Sequence, residues 1–272
     1  MSIKRILAPT DFSEVSNKAI DVAVAIATKG DAEIVLMHTS LPTEGINSNV
    51  YAAIYIHEYL EIKRKNLQQM AERLKEKGFD GKISTDNKVD FTVPSIVNAA
   101  AEFEADLVIM GSTGTSGLSG VILGSTAGGV LSKIDHPLFL IPKDYVLPES
   151  GHLLIGTDYK TAVDPGSLNI IEFFKEKLNF RIQLIHIEKE GEENVDREKY
   201  VRDNFKSLID GSISIPGGKV EEALLKLKEK YTNAVLCTVT KKRNWFENIF
   251  YHSVSKSLAH YSDVALLCLH EE

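Results

Sequence analysis

Short apolar runs recur along the chain, separated by longer stretches in which apolar residues return every three or four positions. The runs at 3–8, 33–39 and 106–110 read as buried strands. After the first, Ser13 can cap a helix that continues to about residue 29. Ala19, Ala23, Ile26 and Ala27 share one face of it, and Gly30 is its expected stop. A loop over 41–50 precedes a long amphipathic helix from about residue 53 to 77, closed by Gly78. Residues 82–89 form a more polar strand suited to a sheet edge, and 94–103 a helix. A short helix from Ser125 to residue 134 then leads into a fifth strand at 137–141. Strands alternating with helices imply right-handed βαβ units and a parallel sheet.

The pattern then restarts. Residues 153–158 repeat 6–11, and 183–186 repeat 35–38, with 27 residues from Asp11 to His38 and 28 from Asp158 to His186. Farther on, 233–237 overlies 106–110 and 264–268 overlies 137–141, both at an offset of 127. Such repetition marks a tandem duplication. The expected units are residues 1–144 and 151–272, joined by a linker over 143–151 that contains Pro148. The second unit is trimmed between its histidine and its fourth strand.

The candidate chemistry lies directly after the strand at 106–110, in Gly111-x2-Gly114-x9-Gly124-Ser125-Thr126. Glycines allow main-chain N–H groups to approach a ligand, and a helix start attracts anions. No lysine stands where a P-loop requires one, and the Gly-x-Gly-x-x-Gly fingerprint is absent. In the second copy Thr238, Lys241, Tyr251 and His252 replace Gly111, Gly114, Gly124 and Ser125, so one phosphate cradle per chain is expected. The stretch 241–251 is instead basic and then aromatic.

The 272 residues are 43% hydrophobic and 25% charged, as in a globular protein. A net charge of −7 argues against nucleic-acid or anionic-membrane partners. Cys237 and Cys268 imply no disulfide framework and lack zinc spacing with His252 and His270. With no membrane-spanning run and no leader-like start, a cytoplasmic location is the expectation.

The glycine loop resembles the nucleotide-binding signature of the universal stress protein family, in its ATP-binding branch. The segments Ile6-Leu7-Ala8-Pro9-Thr10-Asp11-Phe12-Ser13 and Ile34-Val35-Leu36-Met37-His38 resemble that family's first two strands. The resemblance implies two tandem doubly wound five-stranded parallel sheets, α/β and Rossmann-like, of the adenine nucleotide α-hydrolase-like type with strand order 3-2-1-4-5. It implies ATP, with accompanying Mg²⁺, bound by Pro9, Thr10, Asp11, Thr39, Met110, Gly111, Gly114, Gly124, Ser125 and Thr126. Thr39 would act through its main chain. It also implies a stress-response or regulatory role with slow hydrolysis at most. The fifth strands of the two copies would pair within one chain as a pseudo-dimer, which leaves room for a homodimer of chains.

Several residues have a plainer reading. Asp11 can cap the helix starting near Ser13, although its place beside the strand-order reversal favours ligand binding. His38 and His186 read as packed, hydrogen-bonded histidines, and Gly128-Gly129 as a close-packing site. Two other classes remain. An enzyme of the α-hydrolase-like superfamily would need a Ser-Gly-Gly-x-Asp-Ser motif, which is missing. A module without nucleotide could hold a lipid or small hydrophobic molecule in the aromatic second half.

Overall fold

The computed structural model describes residues 3–41, 50–113, 123–188, 196–205, 207–217, 226–227, 229–240 and 264–271. In the first half, β1 (Arg5–Pro9), β2 (Glu33–Ser40), β3 (Ile83–Val89), β4 (Leu107–Gly111) and β5 (Leu138–Ile141) alternate with four helices. These are α1 (Glu14–Gly30), α2 (Val50–Glu76), α3 (Thr92–Glu102) and α4 (Ser125–Leu131). The second half has β6 (Gly151–Gly156), β7 (Phe180–Ile187), β8 (Gly211–Ile215), β9 (Ala234–Thr240) and β10 (Ala265–His270). With them go α5 (Pro165–Glu176) and α6 (Arg197–Phe205), the latter far shorter than its counterpart α2.

The strands form one ten-stranded sheet ordered β3-β2-β1-β4-β5-β10-β9-β6-β7-β8. Each half keeps the order 3-2-1-4-5, with parallel neighbours throughout. At the seam β5 and β10 run antiparallel, with Leu138, Phe139 and Leu140 opposite Cys268, Leu267 and Leu266. All strands of one half therefore run opposite to those of the other. Polar β3 is an outer strand, as its sequence suggested.

Period-two alternation divides each strand between two cores. Ile6, Ala8, Ile34, Leu36, Leu107 and Ile109 face one layer; Leu7, Val35, Met37, Val108 and Met110 face the other. The first layer takes α1 and α2 and continues without a break into α5 through Ile170, Phe173 and Phe174. The second takes α3 and α4 and includes Cys268 of β10. Phe139 is fully buried at the seam, its ring 5.6 Å from that of Phe174 and nearly perpendicular to it. Burying such a side chain is worth about 2–3 kcal/mol, so the seam is a core and not a rim.

Two boundaries differ from the sequence reading. The left-handed residue that ends α1 is Asp31, at φ 53 and ψ 46, and Gly30 is the last helical residue. Aspartate tolerates that conformation. Gly30 serves another purpose, since a Cβ there would stand 3.0 Å from the Phe173 ring. Gly151, assigned from sequence to the linker, opens β6, where a Cβ would lie 2.4 Å from the Asn233 carbonyl oxygen.

Candidate functional site

β1 pairs with β2 on one side and with β4 on the other. The chain leaves β1 into α1 on one face of the sheet and leaves β4 into α4 on the other face. A crevice opens where connections diverge in this way. Pro9, Thr10 and Asp11 stand at the carboxyl end of β1, Thr39 near that of β2, and Met110 and Gly111 at that of β4. Gly124, Ser125 and Thr126 enter at the start of α4.

Thr10 is buried and held from four directions. Its N–H donates to the Met37 carbonyl at 2.8 Å, and its hydroxyl lies 3.0 Å from that of Ser16 and accepts from the Phe12 N–H. Its carbonyl oxygen is 2.8 Å from His38 Nδ1. Phe12 follows in the left-handed region at φ 64, with its ring 4.7 Å from the His38 ring. A bulky residue held there carries about 1–2 kcal/mol of strain. The turn keeps Asp11 exposed on a fixed backbone, where its Oδ1 accepts from the Ser13 N–H at 3.0 Å. Ser13, not Asp11, is the α1 cap, accepting from the Ser16 N–H at 3.2 Å.

On the other wall, the Ser112 N–H donates to the Ile141 carbonyl and the Gly124 N–H donates to the Ser112 carbonyl at 2.7 Å. The two ends of the glycine loop are thereby pinned to each other and to β5. Gly114 lies outside the described residues. Gly124 is the extended N-cap of α4 and makes no side-chain capping hydrogen bond to its first turn. Gly111 is glycine for a packing reason: a Cβ would come within 2.9 Å of Val15 Cγ1 and 3.1 Å of the Thr113 carbonyl oxygen. Gly129 lets α4 meet α3, where a Cβ would lie 2.7 Å from Val93 Cγ2. At Gly128 the corresponding contact, 3.4 Å to Leu123, is ordinary.

The second half reproduces the β1 wall. The Thr157 N–H donates to the Ile185 carbonyl, the Thr157 hydroxyl accepts from the Tyr159 N–H, and its carbonyl meets His186 Nδ1 at 2.9 Å. Tyr159 is left-handed at φ 56, and its ring lies 5.0 Å from that of His186. Both histidines are thus packed, hydrogen-bonded groups, as read from sequence. A cation covers each aromatic: Lys63 Nζ is 5.2 Å from the Phe12 ring centre, and the Arg197 guanidinium is 5.2 Å from that of Tyr159. Sequence reasoning missed this stack, although the aromatic residue after Thr-Asp in both copies signals it.

The copies differ in the use of their aspartates. Asp158 Oδ1 accepts from the Lys160 and Thr161 N–H groups at 2.8 and 2.9 Å, and Oδ2 from the Thr161 hydroxyl. Burial pushes its pKa up, but these hydrogen bonds together outweigh burial and hold it below the ordinary value. Tyr200 closes the same loop, donating to the Thr161 carbonyl at 2.6 Å with its ring edge on Tyr159. Lys241, Tyr251 and His252 lie outside the described residues. Among those described, no group of three or more His, Cys, Asp or Glu could hold a metal ion. No helix described is long and apolar enough to cross a membrane. Cys237 and Cys268 are buried on neighbouring strands, and burial raises the pKa of both thiols.

A doubly wound sheet, a rigid acidic turn after its first strand and a glycine-started helix after its fourth define an α/β protein of the Rossmann-like class. More narrowly, the chain belongs to the universal stress protein family, whose model matches residues 2–142. Universal stress protein MJ0531 of Methanocaldococcus jannaschii is 32% identical over 147 residues, covering 52% of this chain and 82% of that protein. Universal stress protein YxiE of Bacillus subtilis is 28% identical over 145 residues, covering 50% of this chain and 97% of that one. The crystal structure of a universal stress protein from Archaeoglobus fulgidus matches over 98% of both chains at a TM-score of 0.74 and 21% identity. That match extends the likeness of fold across both halves.

Proposed function

We propose that the chain binds ATP, one molecule per chain, in the crevice of its first half and acts as a cytoplasmic stress-response regulator with slow or no hydrolysis. The observation that carries this reading is the start of α4 at Gly124, whose N-cap makes no side-chain hydrogen bond to the first turn. In support, α4 follows β4, which pairs with β1 where the strand order reverses, and Asp11 follows β1. Main-chain N–H donors at a helix start suit phosphate oxygens, and an exposed carboxylate on a fixed turn suits ribose hydroxyls. Pro9, Thr10, Met110, Gly111, Gly114 and the main chain of Thr39 would complete the pocket, and Mg²⁺ would be carried by the phosphates. Membership of the family supports a regulatory role.

The nucleotide unit would be residues 1–144. Residues 151–272 would form the unit without the glycine motif, with Asp158 and Tyr200 committed to their own loop. A homodimer of chains would need surfaces other than β5 and β10, which engage each other. The reading without nucleotide, with a lipid or small hydrophobic molecule in the second half, rests on residues 241–251, which lie outside the described residues.

Titration of ATP, AMP and GTP into the wild type and Gly114→Leu tests the proposal. ATP should bind the wild type and not the variant, while the melting transition of the variant stays cooperative. Equal ATP affinity in the two proteins would contradict it.

A further inference from the structure

The seam between the halves sets two histidines opposite each other. β5 and β10 pair antiparallel, with Leu138 opposite Cys268. Two positions farther along, the same register puts His136 opposite His270, and His270 Nε2 lies 3.0 Å from the His136 carbonyl oxygen. A carbonyl can only accept, so Nε2 of His270 carries the proton. The main chain of His270 is tied to the second half, since its N–H donates to the Ser167 hydroxyl at 3.0 Å and its carbonyl accepts from the Asp164 N–H at 3.3 Å. His270 thus clasps the start of α5 to the chain just before β5.

His136 is half-buried, and its Nδ1 is buried with no hydrogen-bond partner among the described residues. A neutral ring can leave that atom as a lone pair, but an imidazolium carries N–H groups at both nitrogens. Protonation would bury an unmatched charged donor, which costs more than an unmatched neutral acceptor. Burial lowers the pKa of His136 and His270 lowers it further, against the pull of Asp135 beside it. Other carboxylates around the seam have their own partners. Asp106, in register with His136 on the β4 side, accepts from the Lys4 and Arg5 N–H groups, and Asp164 from those of Gly166 and Ser167. Glu271, next to His270, bridges to Val163 through its main chain, while Glu104 and Lys133 are exposed.

We infer that the seam is an acid-sensitive joint: proton uptake by His136 and His270 sets two like charges face to face and opens the pairing of β5 with β10. Like charges directly opposite each other on paired strands repel. His136 contributes stability above the unfolded value of about 6.5, and that contribution is lost as pH falls toward the lower folded value. The two five-stranded halves meet at this ladder, so opening it frees them at their strand edges while the parallel ladders within each half stay closed.

Hydrogen exchange of the full chain tests this by comparing amide protection factors at pH 7.5 and pH 5.5. In the wild type, protection of β5 and β10 should fall about tenfold or more in acid, while that of β1 and β2 stays within about twofold. His136→Leu should remove most of that fall. His270→Gln, which keeps an N–H donor for the carbonyl but cannot charge, should reduce it, and the exposed control His57→Gln should behave as the wild type. Seam protection that does not change with pH, an equal fall in β1 and β2, or the full fall in His136→Leu overturns the inference. The His136 ring of the wild type, followed by NMR, should titrate below about 6.5; a higher value overturns the inference even if neither seam variant folds.

Discussion

A Cβ on Gly30 would stand 3.0 Å from Cε2 of Phe173, so the end of α1 in the first half is fitted against α5 of the second. Phe173 is buried among Ile170, Phe174 and the first-half core, and its ring has little room to move. Gly30→Val should therefore destabilise the whole chain by about 1–3 kcal/mol through overpacking, read as a lower urea midpoint. Phe173→Leu in the same chain should recover part of the loss. A Gly30→Val protein as stable as the wild type would show that the two helices are not in contact.

Gly111 permits a parallel test of why that glycine is there. Its missing side chain leaves room for Val15 and for the Thr113 carbonyl. Gly111→Ala is expected to lower stability in the absence of any ligand, and Val15→Ala to restore part of it when the two are combined. A loss of ATP binding with no change in stability would assign Gly111 to the ligand alone.

Tyr145 is buried in the segment joining the halves, edge-on to Phe139, and its hydroxyl has no hydrogen-bond partner among the described residues. Burial raises its pKa, which keeps the phenol neutral. Removing an unsatisfied buried hydroxyl relieves a cost of about 1–3 kcal/mol. Tyr145→Phe should accordingly be more stable than the wild type in chemical unfolding; a less stable variant would mean that the hydroxyl has a partner.

Two aspartates should shape the acid limb of stability in opposite senses. The pKa of Asp158 is lowered in the folded chain, so its contribution is present above the unfolded value of about 3.9 and is lost as pH falls through the folded value. Asp158→Asn should be less stable than the wild type at pH 7, with the gap narrowing in acid. The pKa of Asp86 is raised, chiefly by burial, against the pull of Lys88. Its contribution is present below about 3.9 and is lost as pH rises through the folded value, so ionised Asp86 is a net cost at neutral pH. Asp86→Asn should be the more stable protein at pH 7, with the difference vanishing near pH 3. Urea midpoints measured at both pH values check both signs.

The buried strands were legible as short apolar runs bounded by breakers, Leu107 to Met110 most plainly, whereas β8, with only two apolar residues in Gly211–Ile215, gave no such signal. The duplication was legible for the same reason, as Thr10-Asp11 and His38 return as Thr157-Asp158 and His186 in matching geometry. What sequence could not supply was distant contact. Gly30 looks like a helix stop until Phe173 arrives from 143 positions away, and nothing in the sequence around Gly111 announces that Val15 packs against it. The left-handed turn at Phe12 was hidden because a phenylalanine there defies local preference, and only the bonds around Thr10 hold it. Gly114, the middle of the predicted cradle, lies outside the described residues.

The number of ATP molecules carried by one chain tests the nucleotide assignment most directly. Native mass spectrometry of the full chain with ATP and Mg²⁺ should show a single added nucleotide, removed by Gly114→Leu and kept in Asp158→Asn. Two nucleotides per chain, none, or one that survives Gly114→Leu but not Asp158→Asn would contradict a site confined to the first half.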